Sequence, residues 1–200
     1  PVVRALRAQT VHAELEVVLV SPEPLETRVA PLEDFAAVRV VEIDSLVPMA
    51  AARAAGVRAA TAPIVYVGET HVFPEPGWAK ALIEAHAGPW GAVVPGFGNA
   101  NPGSALSWAA FLGDYGAWLS VLPQCELTWA PTYNTAYKRA ALLELEADRH
   151  ARGIRIGRHR GRERRRAHGR IGARLARRDD RTQAWRVVGR AEPFAIAVSA

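Results

Sequence analysis

Short apolar runs rich in β-branched residues alternate with helical patterns along the first half of the chain. Residues 1–9 have Val2, Val3 and Leu6 on one side and read as the end of an amphipathic helix. Residues 15–20 (LEVVLV) are continuously apolar, as in a strand covered on both faces. Residues 38–43 read as a second strand, and the Ala-rich residues 47–60 as a helix that Gly56 weakens by about 1 kcal/mol. A third strand at 64–67 precedes a helix that Pro76 opens and that runs to about His86, with Trp78, Leu82 and Ile83 at helical spacing. A fourth strand follows at 92–94, then a loop rich in Gly, Asn and Pro, and a helix over 105–112. A short strand is expected at 127–129 and a last helix over 137–147. Strands and helices that alternate through residue 95 predict an α/β fold, a mostly parallel sheet with helices on both faces. Ligands of such sheets sit at the carboxyl ends of the strands, which directs attention to loops 21–24, 44–48 and 68–76.

After residue 148 this pattern stops. Residues 1–148 hold 9 Lys and Arg against 16 Asp and Glu, whereas residues 149–200 hold 16 Arg against 4. The basic balance of the whole chain, +5, therefore belongs to the second segment. Its Arg density makes any helix self-repelling, so two parts are expected: an α/β domain over 1–148 and an Arg-rich tail over 149–200 without stable structure. An out-of-frame reading of a GC-rich gene would also produce such a tail, and translation of the neighbouring frame would then restore a folded ending. The tail lacks aromatic interleaving and any recognised RNA- or DNA-binding module, so nucleic acid is not the expected partner.

A single cysteine, Cys125, excludes an internal disulfide and a thiolate zinc cluster. No run approaches about 18 consecutive apolar residues, and no secretory leader opens the chain, which points to the cytoplasm by default. The first residue is Pro1, not Met, so the sequence is read as a piece of a longer protein.

The chemistry concentrates at the end of the third strand, in Glu69-Thr70-His71. Two metal-capable side chains one residue apart point the same way on extended backbone. Glu69 and His71 together therefore suit a divalent ion whose other positions are filled by phosphate and water. Solvated loop residues are the plain alternative.

The stretch ARAAGVRAATAPIVYVGETHVFPEPGW, residues 52–78, is similar to the segment of family 2 glycosyltransferases that runs from an ARNxG-type helix through a strand to the acidic DxD motif and a Pro-Gly-Trp turn. Residues 95–118 and 133–143 resemble the later blocks of that family, including an Asn-x-Ala-Tyr-Lys-Arg run. A subgroup with Glu-Asp-His at the metal position is nearest, with Thr70 where that subgroup has Asp. The resemblance implies a GT-A fold, a nucleotide-sugar donor, Mg²⁺ or Mn²⁺ as cofactor, an inverting transfer, and a glycan or lipid-linked acceptor, with peripheral membrane association as one setting. Cell-surface polysaccharide or glycolipid synthesis is the implied context. By the same resemblance Glu69 and His71 hold the metal and diphosphate, Arg53 and Ser21 lie near the nucleotide, and Trp108, Asn134 and Tyr137 lie on the acceptor side. Arg53 reads equally as a helix-surface charge. Trp108, Tyr115 and Trp118 read as core or as a wall for a sugar, and Asn99 and Asn101 as turn residues.

Two family features have no counterpart. The first, central strand with its nucleotide loop is missing, which would leave its two neighbours unpaired. No acidic block that could supply a catalytic base follows Asp148, and Asp179-Asp180 stands in the Arg-rich run without strand or helix context. Little activity is therefore expected of this chain.

Overall fold

The computed structural model describes residues 2–22, 32, 34–46, 48–69, 71–127, 130–151, 173–176 and 194–199, and of residues 147–151, 173–176 and 194–199 the backbone course alone. Strand β1 (Leu15–Ser21) is buried along almost its whole length, as its unbroken apolar run requires. It pairs in parallel with β2 (Ala37–Glu42), an edge strand none of whose residues is fully buried. Helix α1 (Val2–Arg7) precedes them, and helix α2 (Met49–Ala59) leads into β3 (Ile64–Glu69). Helix α3 (Trp78–Ala85), β4 (Ala92–Pro95), helix α4 (Ala105–Tyr115) and the two-residue β5 (Glu126–Leu127) follow. The described chain then adds β6 (Thr135–Lys138), helix α5 (Arg139–Ala151), β7 (Ala173–Ala176) and β8 (Phe194–Ser199).

These strands form one sheet in the order β2-β1-β8-β3-β6-β4-β7-β5. The fold is thus α/β, but the sheet is mixed rather than mostly parallel. The block β2-β1-β8-β3 is parallel, as is β4-β7, whereas β6 runs antiparallel to both β3 and β4, and β5 antiparallel to β7. Strand direction is not encoded in a hydrophobic run, because the side-chain period of two is the same either way. The long connection between β4 and β6 lets β6 enter from the opposite end of the sheet.

Three further expectations change. The helix expected from Tyr137 begins at Arg139, because Ala136 and Tyr137 pair with Tyr66 and Val65 across β3. Two segments of the Arg-rich region, which the sequence pattern leaves without structure, are strands. One of them, β8, lies between β1 and β3 and is parallel to both, with Leu15 and Ile64 each opposite Phe194. The gap expected from a missing central strand is therefore filled by FAIAVS, a β-branched and apolar run from the far end of the sequence.

Alternate residues of the strands feed two cores, and helices cover both faces. Leu15 and Val17, Ile64 and Tyr66, Val93 and Ala136 pack with Leu6 of α1 and with Ala79, Leu82 and Ile83 of α3. Val18, Val65, Val67, Ala92, Val94 and Tyr137 pack on the other face with Val57 of α2 and with Leu142 and Leu143 of α5. Buried polar groups knit these layers. Gln9 donates to the carbonyls of Ala5 and Glu75 and accepts from the Ala79 amide, tying α1 to the start of α3. Glu16, 3 % exposed, accepts from Arg39 of β2, from the Thr61 amide at 2.8 Å and from the Ala62 amide at 3.0 Å. Burial works against its charge, but the bonds from Arg39, Thr61 and Ala62 outweigh burial and hold its pKa below the ordinary carboxylate value. No helix among the described residues is long and apolar enough to cross a membrane.

Candidate functional site

Strand β3 delivers Glu69 to the carboxyl end of the sheet. By register Glu69 lies opposite Ser199 of β8, and Ser199 lies opposite Val20, the residue before Ser21. Ser21 and Glu69 thus end two parallel strands that flank β8, at the edge where ligands of parallel sheets bind. Ser21 itself is buried and its carbonyl accepts from the Ile43 amide.

The Glu69 carboxylate is held, not free. Its Oε2 accepts a hydrogen bond from Asn134 Nδ2 at 2.6 Å and from the Tyr115 hydroxyl at 3.1 Å. Asn134 is buried and its backbone takes a left-handed conformation, φ 51°, which lets its amide reach the Val67 carbonyl while its side chain turns to Glu69. Asparagine is among the few residues that adopt this conformation at modest cost. The Tyr66 hydroxyl closes the set on Asn134 Oδ1 at 3.4 Å. Burial, and then the neighbouring Glu69 charge, push both the Tyr66 and the Tyr115 hydroxyls well above their ordinary pKa, so both remain proton donors.

His71 stands beside this carboxylate, with Nε2 3.6 Å from Glu69 Oε2 and a side chain 71 % exposed. The two side chains that the Glu-x-His spacing pairs are therefore together. Thr70 between them lies outside the described residues. Among the described residues no group of three or more His, Cys, Asp or Glu side chains gathers around a common point. Among the described residues, Glu69 and His71 are the two side chains of these types that a metal here would meet.

Arg53 of α2 reaches the site's rim through aromatic groups. Its guanidinium donates to Thr132 Oγ1 at 3.0 Å and lies 5.6 Å from the centre of the Tyr133 ring. Tyr133 meets Tyr115 edge to face at 6.4 Å, and Tyr115 also stacks on Phe111 and tilts against Phe97. A line of contacts thus runs from Arg53 to Glu69. On the other side of Glu69 a shallow hollow is walled by Leu6, Tyr66, Gly68, Val72, Pro74 and Trp78, where Trp78 meets Tyr66 edge to face at 4.6 Å.

The remaining candidates are distributed differently. Trp108 is half-exposed, packs its ring against Phe111 and donates from its indole to the Pro102 carbonyl. Trp118 is buried in the second core. Tyr137 is buried as well, and its hydroxyl donates to the Pro131 carbonyl, so it belongs to the core packing and not to the surface around Glu69. Burial pushes its pKa up to about 12. Asn99 accepts from the Asn101 amide and from the Ser107 hydroxyl, which is the work of a turn residue. The sequence reading missed the role of Asn134 as a partner of Glu69 and the parts played by Tyr66 and Tyr133. A signal for Asn134 was available: a polar residue directly before the alternating Thr-Ala-Tyr-Lys strand stands at a strand entry, where left-handed backbone is common. Comparison of the chain with protein-family models, with curated proteins and with solved structures finds no match to any of them.

Proposed function

We propose that this chain is a GT-A-type glycosyltransferase domain that binds a nucleoside-diphosphate sugar at the carboxyl ends of β1, β8 and β3. The observation that carries this reading is the fixed Glu69 carboxylate beside His71 at the carboxyl end of β3, a central strand parallel to β8. Two protein ligands suffice for an ion that bridges a diphosphate, because phosphate oxygens and waters complete its shell. The imidazole of His71 favours Mn²⁺ over Mg²⁺, since nitrogen donors suit the softer ion. When bound, the ion would offset the charge that develops on the departing nucleoside diphosphate.

The chain's own residues then have distinct tasks. Asn134 and Tyr115 orient Glu69 and occupy one of its oxygens, so the carboxylate presents a defined face. Arg53 supplies positive charge at the rim for phosphate, and the Tyr115–Tyr133 pair offers flat apolar surface to a sugar or base. Trp108 stands further out, on the side where an acceptor glycan would approach. In this arrangement Asn134 serves the donor side rather than the acceptor side.

The test is calorimetric titration of the chain with nucleoside diphosphates, with and without Mn²⁺. Binding that requires Mn²⁺ and is lost in Glu69→Gln and in His71→Ala is the expected result. Binding indifferent to Mn²⁺, or no binding of any nucleoside diphosphate, would refute the reading. A second reading, a donor-binding domain without transferase activity, has in its favour that the described residues place Glu69 as the sole carboxylate in the hydrogen-bonded group, leaving no separate base to take a proton from an acceptor. Mn²⁺-dependent binding without transfer to any acceptor would select it.

A further inference from the structure

Strand β2 stands at one edge of the sheet, and among the described residues no segment pairs with its outer side. The opposite edge is β5, only two residues long. Open edges are ordinarily protected by brevity, by proline, by a bulge or by a charged side chain in mid-strand. Strand β2 is six residues long, holds no proline, and keeps an unbroken register against β1 from Ala37 to Glu42. The charge in its middle, Arg39, turns inward to the buried Glu16 and so does not guard the edge. Next to it Val40 is 37 % exposed.

The backbone geometry says which groups this edge offers. The Ile43 amide donates to the Ser21 carbonyl and therefore faces β1. Successive residues of a strand direct their amides and carbonyls to opposite sides, so Val38, Val40 and Glu42 direct theirs outward. Side chains alternate as well: Val38 packs on the first core and Val41 on the second. An antiparallel pairing of β2 with its own copy, about a two-fold axis perpendicular to the sheet, keeps both faces continuous only when the axis passes through a residue. An axis at Arg39 or at Glu42 sets a like charge directly opposite itself, which is unfavourable. An axis at Val40 pairs Val38 through Glu42 with no like charges directly opposite. There Val40 meets Val40, Arg39 meets Val41 and Val38 meets Glu42, and the outward amides and carbonyls of Val38, Val40 and Glu42 exchange hydrogen bonds. The positive charge of Arg39, nearest to its own copy on the diagonal, is already balanced by Glu16.

We propose that the outer edge of β2 binds a second copy of this chain, joining the two sheets into one through an antiparallel β2–β2 contact centred on Val40. The pairing uses the long edge of each copy, and the two-residue β5 leaves too little strand at the far edge to extend the assembly, so association stops at two. A contact of this length is small among protein interfaces, so the dimer is reversible and depends on concentration. It is independent of the reading of Glu69, which lies on β3.

The experiment is sedimentation velocity of the full chain over a concentration series. The expected result for the parent is a monomer–dimer equilibrium. Val40→Lys sets two ammonium groups opposite one another and removes the apolar contact, and should weaken the dimer about tenfold or more. Val40→Glu should do the same, whereas Val40→Thr, which keeps a β-branched side chain, should leave the dimer in place. An equimolar mixture of the lysine and glutamate variants should recover association, because position 40 faces itself across the axis. Far-ultraviolet circular dichroism of each variant separates lost pairing from lost fold, and the recovery in the mixture does so independently. Three results would overturn the proposal. These are a parent that is monomeric at every concentration, a dimer that Val40→Lys leaves unaltered, or a mixture no more associated than either variant alone.

Discussion

Asn134 carries two separable contributions, and a pair of substitutions distinguishes them. Its side chain donates to a carboxylate at 2.6 Å, a charge-assisted bond of a kind that contributes roughly 1.5–3 kcal/mol. Its backbone, at φ 51°, costs an ordinary L-residue about 1–2 kcal/mol and glycine nothing. Asn134→Gly removes the side chain alone and should cost about 2 kcal/mol. Asn134→Ala removes the same bond and adds the backbone cost, from which about 0.4–1 kcal/mol is subtracted because alanine loses less freedom than glycine on folding. The alanine variant should therefore be the less stable of the two by about 1 kcal/mol, the reverse of the usual order of these residues. Urea unfolding followed by tryptophan fluorescence measures both, since the chain has six tryptophans. An alanine variant as stable as the glycine variant would refute the strained turn. A glycine variant as stable as the parent would refute the energetic value of the Asn134–Glu69 bond. Under the proposed function both variants should also weaken Mn²⁺ affinity about 10–100-fold, as loss of a ligand's supporting partner does.

Glu16→Gln should destabilise the protein at pH 7 by about 2–4 kcal/mol, since it removes a buried charge that accepts from Arg39 and from two backbone amides. Because the folded pKa of Glu16 is depressed, its contribution is complete above the ordinary carboxylate value and fades as pH falls through the lower, folded one. Urea midpoints of parent and variant should therefore converge in acid, and a constant gap would disprove the assignment. His86 is buried, and burial, aided by the positive charge of Lys138, outweighs its interactions with the backbone of Ala136 and Trp90 and lowers its pKa to about 4. The unfolded chain takes up this proton near 6.5 and the folded chain does not, so stability should be lost between about pH 6.5 and pH 4. His86→Gln should flatten that slope, and an unchanged slope would point elsewhere. Leu82→Ala, at a site 1 % exposed between α3 and the sheet, should cost about 2–5 kcal/mol in the same assay, and a loss below about 1 kcal/mol would contradict the described packing.

How far the sequence disclosed this arrangement depended on how local each signal is. The runs LEVVLV and IVYV are apolar on both pleat faces and became β1 and β3 with little change of bounds, since burial on two sides leaves no other pattern. The helix Trp78–Ala85 was legible from the spacing of Trp78, Leu82 and Ile83, although it starts two residues after Pro76, at which the sequence pattern sets its opening. Thr135–Lys138 was not: its four residues extend into a helical pattern, and only pairing with β3 and β4 makes them a strand. Glu69 and His71 are near one another as their spacing in sequence suggests, but through a turn in which the Val72 amide donates to the Glu69 carbonyl and not through extended backbone, whereas the bond to Asn134 joins residues 65 apart and needs the tertiary fold. The strand Phe194–Ser199 was obscured by its setting, because the arginines before it masked a short apolar run whose partners lie near the other end of the sequence.

That last strand has a consequence for how the molecule reaches its native state. Among the described strands, β8 alone joins the β2-β1 pair to the remaining strands, and Leu15 meets Phe194 across nearly the whole sequence. Closing so long a loop must precede any reward from the pairing, which places the chain among slow folders dominated by non-local contacts. During synthesis β1 and β3 would emerge long before the residues that separate them. Their facing edges would then await a strand, and any extended apolar segment nearby could pair there first. The delay before Phe194–Ser199 leaves the ribosome would thus bear on the yield of correctly threaded sheet.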